Sequence, residues 1–238
     1  SFNQPLNNWN VANVTNMTDM FNSASAFNSS LANWNVSNVT TMSGMFDGAY
    51  NFNQPLNSWT TSNKLKNTSR MFYNVGFGNG PGAFNQPLTN WDVSGVTDMS
   101  NMFTYQRNFN GDLSTWNTSS VTNMSNMFST TAFNQNINSW NVGNVTNMTS
   151  MFSQATAFNQ PLNNWDVSNV TTMLQMFKGS SSFNQPLNNW NVSKVTNVHD
   201  MFSMATNFNS DISTWNTQSV TTMAYMFSGA TAFNQPLN

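Results

Sequence analysis

Cysteine and glutamate are both missing from this chain of 238 residues, and charge of either sign is scarce. Without cysteine there is no disulfide, no thiolate metal site and no cysteine nucleophile, while the redox compartment stays open. Asp, Lys and Arg make up 6% of the chain, where roughly a quarter is usual for the charged residues together. A net charge of −2 leaves no basic face for nucleic acid. No run approaches the ~20 apolar residues of a membrane span, and the chain, which opens at Ser1 without a Met, shows no signal peptide within it. One histidine among 238 residues makes a Ser-His-Asp set implausible. What remains is an Asn-, Ser- and Thr-rich chain that is 38% hydrophobic and 14% aromatic, too apolar to be simply disordered.

Those aromatics recur at a fixed period. The Phe that opens each Phe-Asn motif stands at Phe2, Phe27, Phe52, Phe84, Phe109, Phe133, Phe158, Phe183, Phe208 and Phe233. Units therefore start near residues 2, 27, 52, 84, 109, 133, 158, 183 and 208, with a partial unit from 233. The chain is a single repeat array over 1–238, and such a period signals a solenoid. Both ends fall at the same phase of the unit, which suggests an excerpt of a longer array or a processed product. The third unit is irregular, with one extra residue near Lys64 and an inserted Gly-rich loop over 73–83.

Spacing inside a unit predicts two kinds of structure. Trp9 and Val11 alternate with Asn8, Asn10 and Ala12, the period of a short strand with one face buried. Val14, Met17, Met20 and Phe21 fall on one stripe at helical spacing, and Ser37 and Asn38 are residue types that cap a helix start. The expected fold is α/β: a right-handed leucine-rich-repeat-like solenoid of about nine coils. A short parallel β-sheet would line one face and short helices the other. The alternative is an all-β parallel β-helix. The tryptophans Trp9, Trp34, Trp59, Trp91, Trp116, Trp140, Trp165, Trp190 and Trp215 form one expected core column. Met20, Phe21 and their equivalents form two more. Repeated Asn positions suit side-chain amide ladders between coils.

The unit from Leu162 to Phe177, Leu-Asn-Asn-Trp-Asp-Val-Ser-Asn-Val-Thr-Thr-Met-Leu-Gln-Met-Phe, resembles the 25–26-residue repeat of BspA-like leucine-rich-repeat surface proteins. The resemblance covers essentially the whole chain. It implies a leucine-rich-repeat-like solenoid on secreted or cell-surface proteins, often adhesive, and it brings no catalytic residues. Such repeats also occur in mycoplasmas, protists, algae and large viruses. The departures are Trp where the family has a strand Leu or Ile, and the third unit.

The residues offer little for catalysis, and the expectation is a protein that is not an enzyme. His199 takes a variable, exposed helix position beside Asp200. The Asp residues, Asp112 and Asp211 among them, are scattered along the array rather than clustered as a calcium site requires. No cofactor or metal is expected. Near the insertion, Lys64, Lys66, Arg70, Tyr73, Phe77, Tyr105 and Arg107 form a candidate basic-aromatic binding patch, set against the plain reading of a tolerated surface loop. Asn10, Asn35, Thr60, Asp92, Asn117, Asn141, Asp166, Asn191 and Asn216 form an exposed polar strand stripe suited to glycans or proteins. Glycan acceptor motifs occur at Asn13, Asn16, Asn28, Asn35 and Asn38.

The first functional expectation is an extracellular or cell-surface adhesive scaffold, binding a protein or glycan through that stripe. The alternative is a structural filament, coat or matrix component assembled end to end. A minor third reading is ice binding through the column Thr15, Thr40, Thr97, Thr122 and Thr146. Nucleic acid is not an expected partner.

Overall fold

The computed structural model describes residues 2–74, 80 and 82–237. Every repeat forms one layer stacked on the next, but the layers are neither helix nor sheet. Among the described residues there is no α-helix and no extended strand. This overturns both the α/β leucine-rich-repeat-like solenoid and the parallel β-helix expected from sequence.

The second unit shows why the helix does not form. The N–H groups of Met45, Asp47 and Ala49 donate three residues back, to the carbonyls of Met42, Gly44 and Phe46. Between them, Met42, Gly44, Phe46 and Gly48 donate forward into the next layer, to Asn67, Ser69, Met71 and Tyr73. A helix would send all of these N–H groups four residues back. Here about half of them tie two layers together. The third residue of the 42–45 and 46–49 turns sits in the left-handed region, Gly44 at φ 63° and Gly48 at φ 69°, as a type II turn demands. The same two positions recur along the chain, for example Asp19 and Ser23, Asn126 and Thr130, and Ser150 and Gln154, all with φ between 53° and 59°. Overlapping turns with a period of four residues bring Val39, Met42, Met45 and Phe46 to one buried side. Their spacing mimics a helical stripe without a helical backbone.

The expected strand dissolves for a related reason. Trp34 and Val39 donate their N–H groups to Leu31 and Val36, so two tight turns bracket Asn35. Trp34 and Val36 are buried and Asn35 is exposed, but that alternation belongs to turns. Parallel pairing survives only as single bridges down one column: Asn16 to Thr41, Thr41 to Asn67, Asn67 to Asp98, and so on to Asn197 with Thr222.

Side chains complete the stack. Where the chain passes from one unit to the next, Phe46 and the Phe52 that opens the following unit lie 4.0 Å apart, face to face. Between units, Phe46 meets Phe72 at 5.6 Å and Phe52 meets Phe84 at 6.1 Å, within the range for offset stacking. The tryptophans stack beside them, Trp34 on Trp59 at 6.3 Å and Trp116 on Trp140 at 5.9 Å. From Trp34 to Trp215 the indole N–H donates to the carbonyl of Leu, or of Ile137, in the preceding layer, as in Trp59 to Leu31 at 2.9 Å and Trp165 to Ile137 at 3.1 Å. Leucine cannot make that bond, which gives Trp a role at this column beyond filling the core. The column is buried from Trp34 to Trp190, half-buried at Trp215, and open at Trp9, which is 56% exposed.

An asparagine ladder runs parallel to the aromatic one. The side-chain oxygen of Asn28 accepts the backbone N–H of Asn53, Asn53 accepts Asn85, and the series continues through Asn209 with Asn234. Glutamine amides join it: Gln54, Gln160 and Gln185 donate to Asn28, Asn134 and Asn159. The ladder therefore joins backbone to side chain at every step, with side chain to side chain bonds, the only kind expected from sequence, added where a glutamine reaches the same oxygen. The Phe-Asn-Gln motif thus supplies a core ring and two interlayer bonds in three residues.

Candidate functional site

All nine stripe residues, Asn10, Asn35, Thr60, Asp92, Asn117, Asn141, Asp166, Asn191 and Asn216, are exposed, between tight turns and not on a strand. Their side chains have a local job. The Oδ1 atoms of Asn35, Asp92, Asn141, Asp166 and Asn191 each accept the backbone N–H two residues on, at 2.9–3.2 Å. Asn10, Asn117 and Asn216 do the same. This is the Asx turn, for which Asn and Asp are interchangeable, so the uniform composition of the stripe follows from its fold. Hydrogen bonds from the Ser168 hydroxyl and N–H hold the Asp166 carboxyl below the usual carboxylate range. Shallow polar depressions flank the stripe, one lined by Ser114, Asn136, Asn138, Ser139 and Asn164. The Thr column is also occupied. The hydroxyls of Thr40, Thr122 and Thr146 donate to carbonyls of the preceding layer, and the three residues stay exposed.

The basic-aromatic patch is split by the fold. Arg70 places its guanidinium 4.8 Å over the Tyr73 ring, and Tyr73 meets Tyr105 edge to face at 6.3 Å. Arg70 also pairs with Asp47 of the preceding layer at 2.6 Å. Asp47 is buried, and burial pushes its carboxyl above the ordinary value despite the Arg70 hydrogen bond and charge. Burial likewise raises the Tyr73 phenol. Lys64 and Lys66 turn to Asn38 Oδ1 at 2.6 Å and the Asn63 carbonyl at 2.8 Å. Exposed Arg107 follows Tyr105 in the next tight turn. Phe77, like most of the inserted loop, lies outside the described residues. The return of the loop is fixed: Asn74 donates to the Gly80 carbonyl and Ala83 to Tyr50. Gly82, at φ 70°, leaves the space that the Gln106 side chain fills.

A second polar cluster escaped the sequence reading. Lys178 pairs with Asp200 at 3.0 Å, and Gln175 donates to the same carboxylate at 3.3 Å. Asp200 is buried. Burial raises its carboxyl, but hydrogen bonds from Lys178, Gln175 and Ser203 together outweigh it and hold the group below its ordinary value. His199 is half-buried in a turn, not exposed on a helix. Its Nδ1 lies 3.1 Å from Asp200 Oδ2 without an aligned hydrogen bond, and its ring meets Tyr225 edge to face at 5.8 Å. Lys178 occupies the column of Asp47, and Asp200 the column of Arg70. The two ion pairs therefore join equivalent positions of adjacent layers with the charges exchanged. The readable signal was that columns four apart hold Gly44 and Gly48, and Gly179 and Gly229 elsewhere. These are the residues of left-handed turns.

Among the described residues no three of His, Cys, Asp or Glu converge as metal ligands do, and no helix is long and apolar enough to cross a membrane. A family model described as "Mycoplasma protein of unknown function, DUF285" matches residues 1–81, 76–184 and 160–238. No curated protein matches the chain.

Proposed function

The chain belongs to the DUF285 family of Mycoplasma proteins of unknown function, and on that premise we propose that it is a non-catalytic repeat scaffold. It acts outside the cell or on its surface and binds a protein or glycan. One observation carries this reading: the side chains best able to do chemistry are engaged in holding layers together. Asp47, Asp200, Arg70 and Lys178 form interlayer ion pairs, and the Thr hydroxyls and Asn amides form interlayer ladders. A catalytic group needs a partner-poised nucleophile or base facing a cleft, whereas these groups face each other. The resemblance to surface-protein repeats supports the location.

End-to-end assembly is the second reading. It draws on the stacking itself: the same aromatic and asparagine columns join each layer to the next, and a second copy could continue them. Sedimentation of residues 1–238 over a range of concentrations separates the two, combined with binding to panels of immobilised proteins and glycans. The scaffold reading expects a monomer with saturable binding that survives His199→Ala. Filaments without saturable binding would favour the structural role. A measured catalytic activity lost in His199→Ala would overturn the non-enzymatic assignment.

A further inference from the structure

The nine layers allow an internal comparison that needs no second sequence. Columns that build the stack barely vary: Trp fills its column in every unit, and the stripe repeats one Asx turn. The left-handed turn positions behave differently. One column reads Asp19, Gly44, Arg70, Ser150, Gln175 and Tyr225 in six of the units, all with φ between 53° and 63°. The second holds Gly48 and Gly179, but also Tyr105, Gln154 and Met204, with φ from 59° to 69°.

Backbone bonding there is indifferent to the side chain. Gly44, Arg70 and Gln175 all donate their N–H to the next layer at 2.9 Å. Glycine serves these positions without strain, whereas an Arg, Gln, Met or Tyr reaches the left-handed region only at an energetic cost. At Arg70 and Gln175 a bond to the neighbouring layer offsets that cost, whereas Tyr225 and Met204, 69% and 57% exposed, bear it on the surface, which points to a role there beyond folding. The same turns carry both ion pairs, the Arg70–Tyr73 and His199–Tyr225 contacts, and the start of the insertion. All four tyrosines and the one histidine of the chain lie in or directly beside these turns.

We propose that the turn face, centred on Arg70, Tyr73 and Tyr105, is the recognition surface of the scaffold and that its ligand is a folded protein. This deepens the scaffold reading and rests on it. Tyrosine, arginine and methionine set among Ser, Thr, Asn and Gly is the composition of protein-binding surfaces. The cation–π and edge-to-face contacts fix the anchors before a ligand arrives, which lowers the ordering cost of binding. A glycan site would instead seek an open aromatic face beside the polar stripe, and the tryptophans that directly precede the stripe residues are buried from Trp34 to Trp190.

The test uses residues 1–238 against a panel of purified extracellular-matrix and serum proteins, each intact and enzymatically deglycosylated, beside an array of free glycans. One variant carries Arg70→Asn, Tyr73→Thr and Tyr105→Thr, the residues found at the same columns one layer later. Asn and Thr already stand there in Asn101, Thr104 and Thr130. Arg70→Asn would leave the buried Asp47 carboxylate unpaired. The variant and the protein it is compared with therefore both carry Asp47→Ser, the residue of that column in Ser129 and Ser153, and the two are expected to melt alike. A second carries Asn117→Asp, Asn141→Asp and Asn191→Asp on the stripe. The expected result is binding to at least one protein that survives deglycosylation, weakened at least tenfold in the turn-face variant and unchanged in the stripe variant. Binding confined to glycans, or lost in the stripe variant while the turn-face variant keeps it, overturns the proposal and leaves the scaffold reading standing. Absence of saturable binding to every panel member sinks both.

Discussion

Units 52–83 and 158–182 are built on the same columns, yet one is regular and the other tolerates four departures. The earlier unit has an extra residue, an insertion, Thr61 in the column of Val36 and Thr68 in the column of Met42. The extra residue is absorbed at a corner: the turn that closes Val36 to Val39 in the unit before closes Ser62 to Leu65 here. The layer above adapts in turn. Gly95 stands where other units have Asn38 or Asn144, and a Cβ there would come within 2.0 Å of the Asn63 carbonyl. Thr61 repairs its own polarity by donating to the Asp92 carbonyl at 3.0 Å. Thr68 does not, and its buried hydroxyl has no hydrogen-bond partner. Through all this Trp59, Phe52 and Phe72 remain buried and in register. The aromatic and asparagine ladders are therefore what defines a layer, and the corners are where a layer can change.

The comparison breaks first at the tryptophans, where the largest effect is expected. Trp165→Ala removes a buried ring and leaves the Ile137 carbonyl without its indole donor, a loss of about 3–5 kcal/mol. Trp59→Ala should cost the same within about 1 kcal/mol, because its stacking and its bond to Leu31 match those of the regular unit. Urea denaturation of both variants checks this. A Trp59→Ala protein as stable as the parent would mean that the irregular layer is held by something other than its ladder.

The methionine column gives the next, smaller contrast. Met173 is fully buried, and Met173→Thr should cost about 2–4 kcal/mol by opening a cavity and burying a hydroxyl. Thr68→Val is its converse: an isosteric change that removes the unpartnered hydroxyl, expected to stabilise by about 1 kcal/mol. A melting temperature lowered by Thr68→Val would show that the hydroxyl has a partner or a purpose after all.

How much of this was legible in the residues can be argued from the same columns. The repeat, its boundaries and the inward-facing side chains follow from periodicity alone, because Phe, Trp and Met must stack on their own kind whatever the backbone does. Backbone type did not follow. Offsets of three, three and one are shared by a helical stripe and by turns closing every four residues, and hydrophobic spacing cannot tell them apart. Gly44 with Gly48 was the discriminating signal: two glycines four apart argue against a helix and for repeated left-handed residues. The stripe was legible as exposed polar surface, but its Asn and Asp are there for the local turn, a bond invisible to composition. The Lys178–Asp200 pair was hidden because its partners lie in different units, 22 residues apart, and become neighbours only when layers stack.

Those two ion pairs carry the smallest expected effect, and its sign differs between them. Hydrogen bonds from Lys178, Gln175 and Ser203 hold folded Asp200 below its ordinary value of 3.8. Its contribution is therefore present above 3.8 and lost as pH falls through the lower folded value. Burial places folded Asp47 above 3.8, so the folded state holds that proton more tightly than the unfolded chain does. Ionisation of Asp47 then opposes folding as pH rises from 3.8 through the raised value, and acidification relieves it. The two carboxylates partly cancel in the parent. Asp200→Asn removes the term lost in acid, so thermal stability between pH 6 and pH 3 should fall less steeply than in the parent. Asp47→Asn removes the term gained in acid, so its stability should fall more steeply. The lowered carboxylates Asp166 and Asp211 are common to all three proteins and drop out of the comparison. Melts of the three proteins across that range test the difference. Slopes shifted in the same direction by both variants would show that exchanging the charges across equivalent columns does not reverse their linkage to folding.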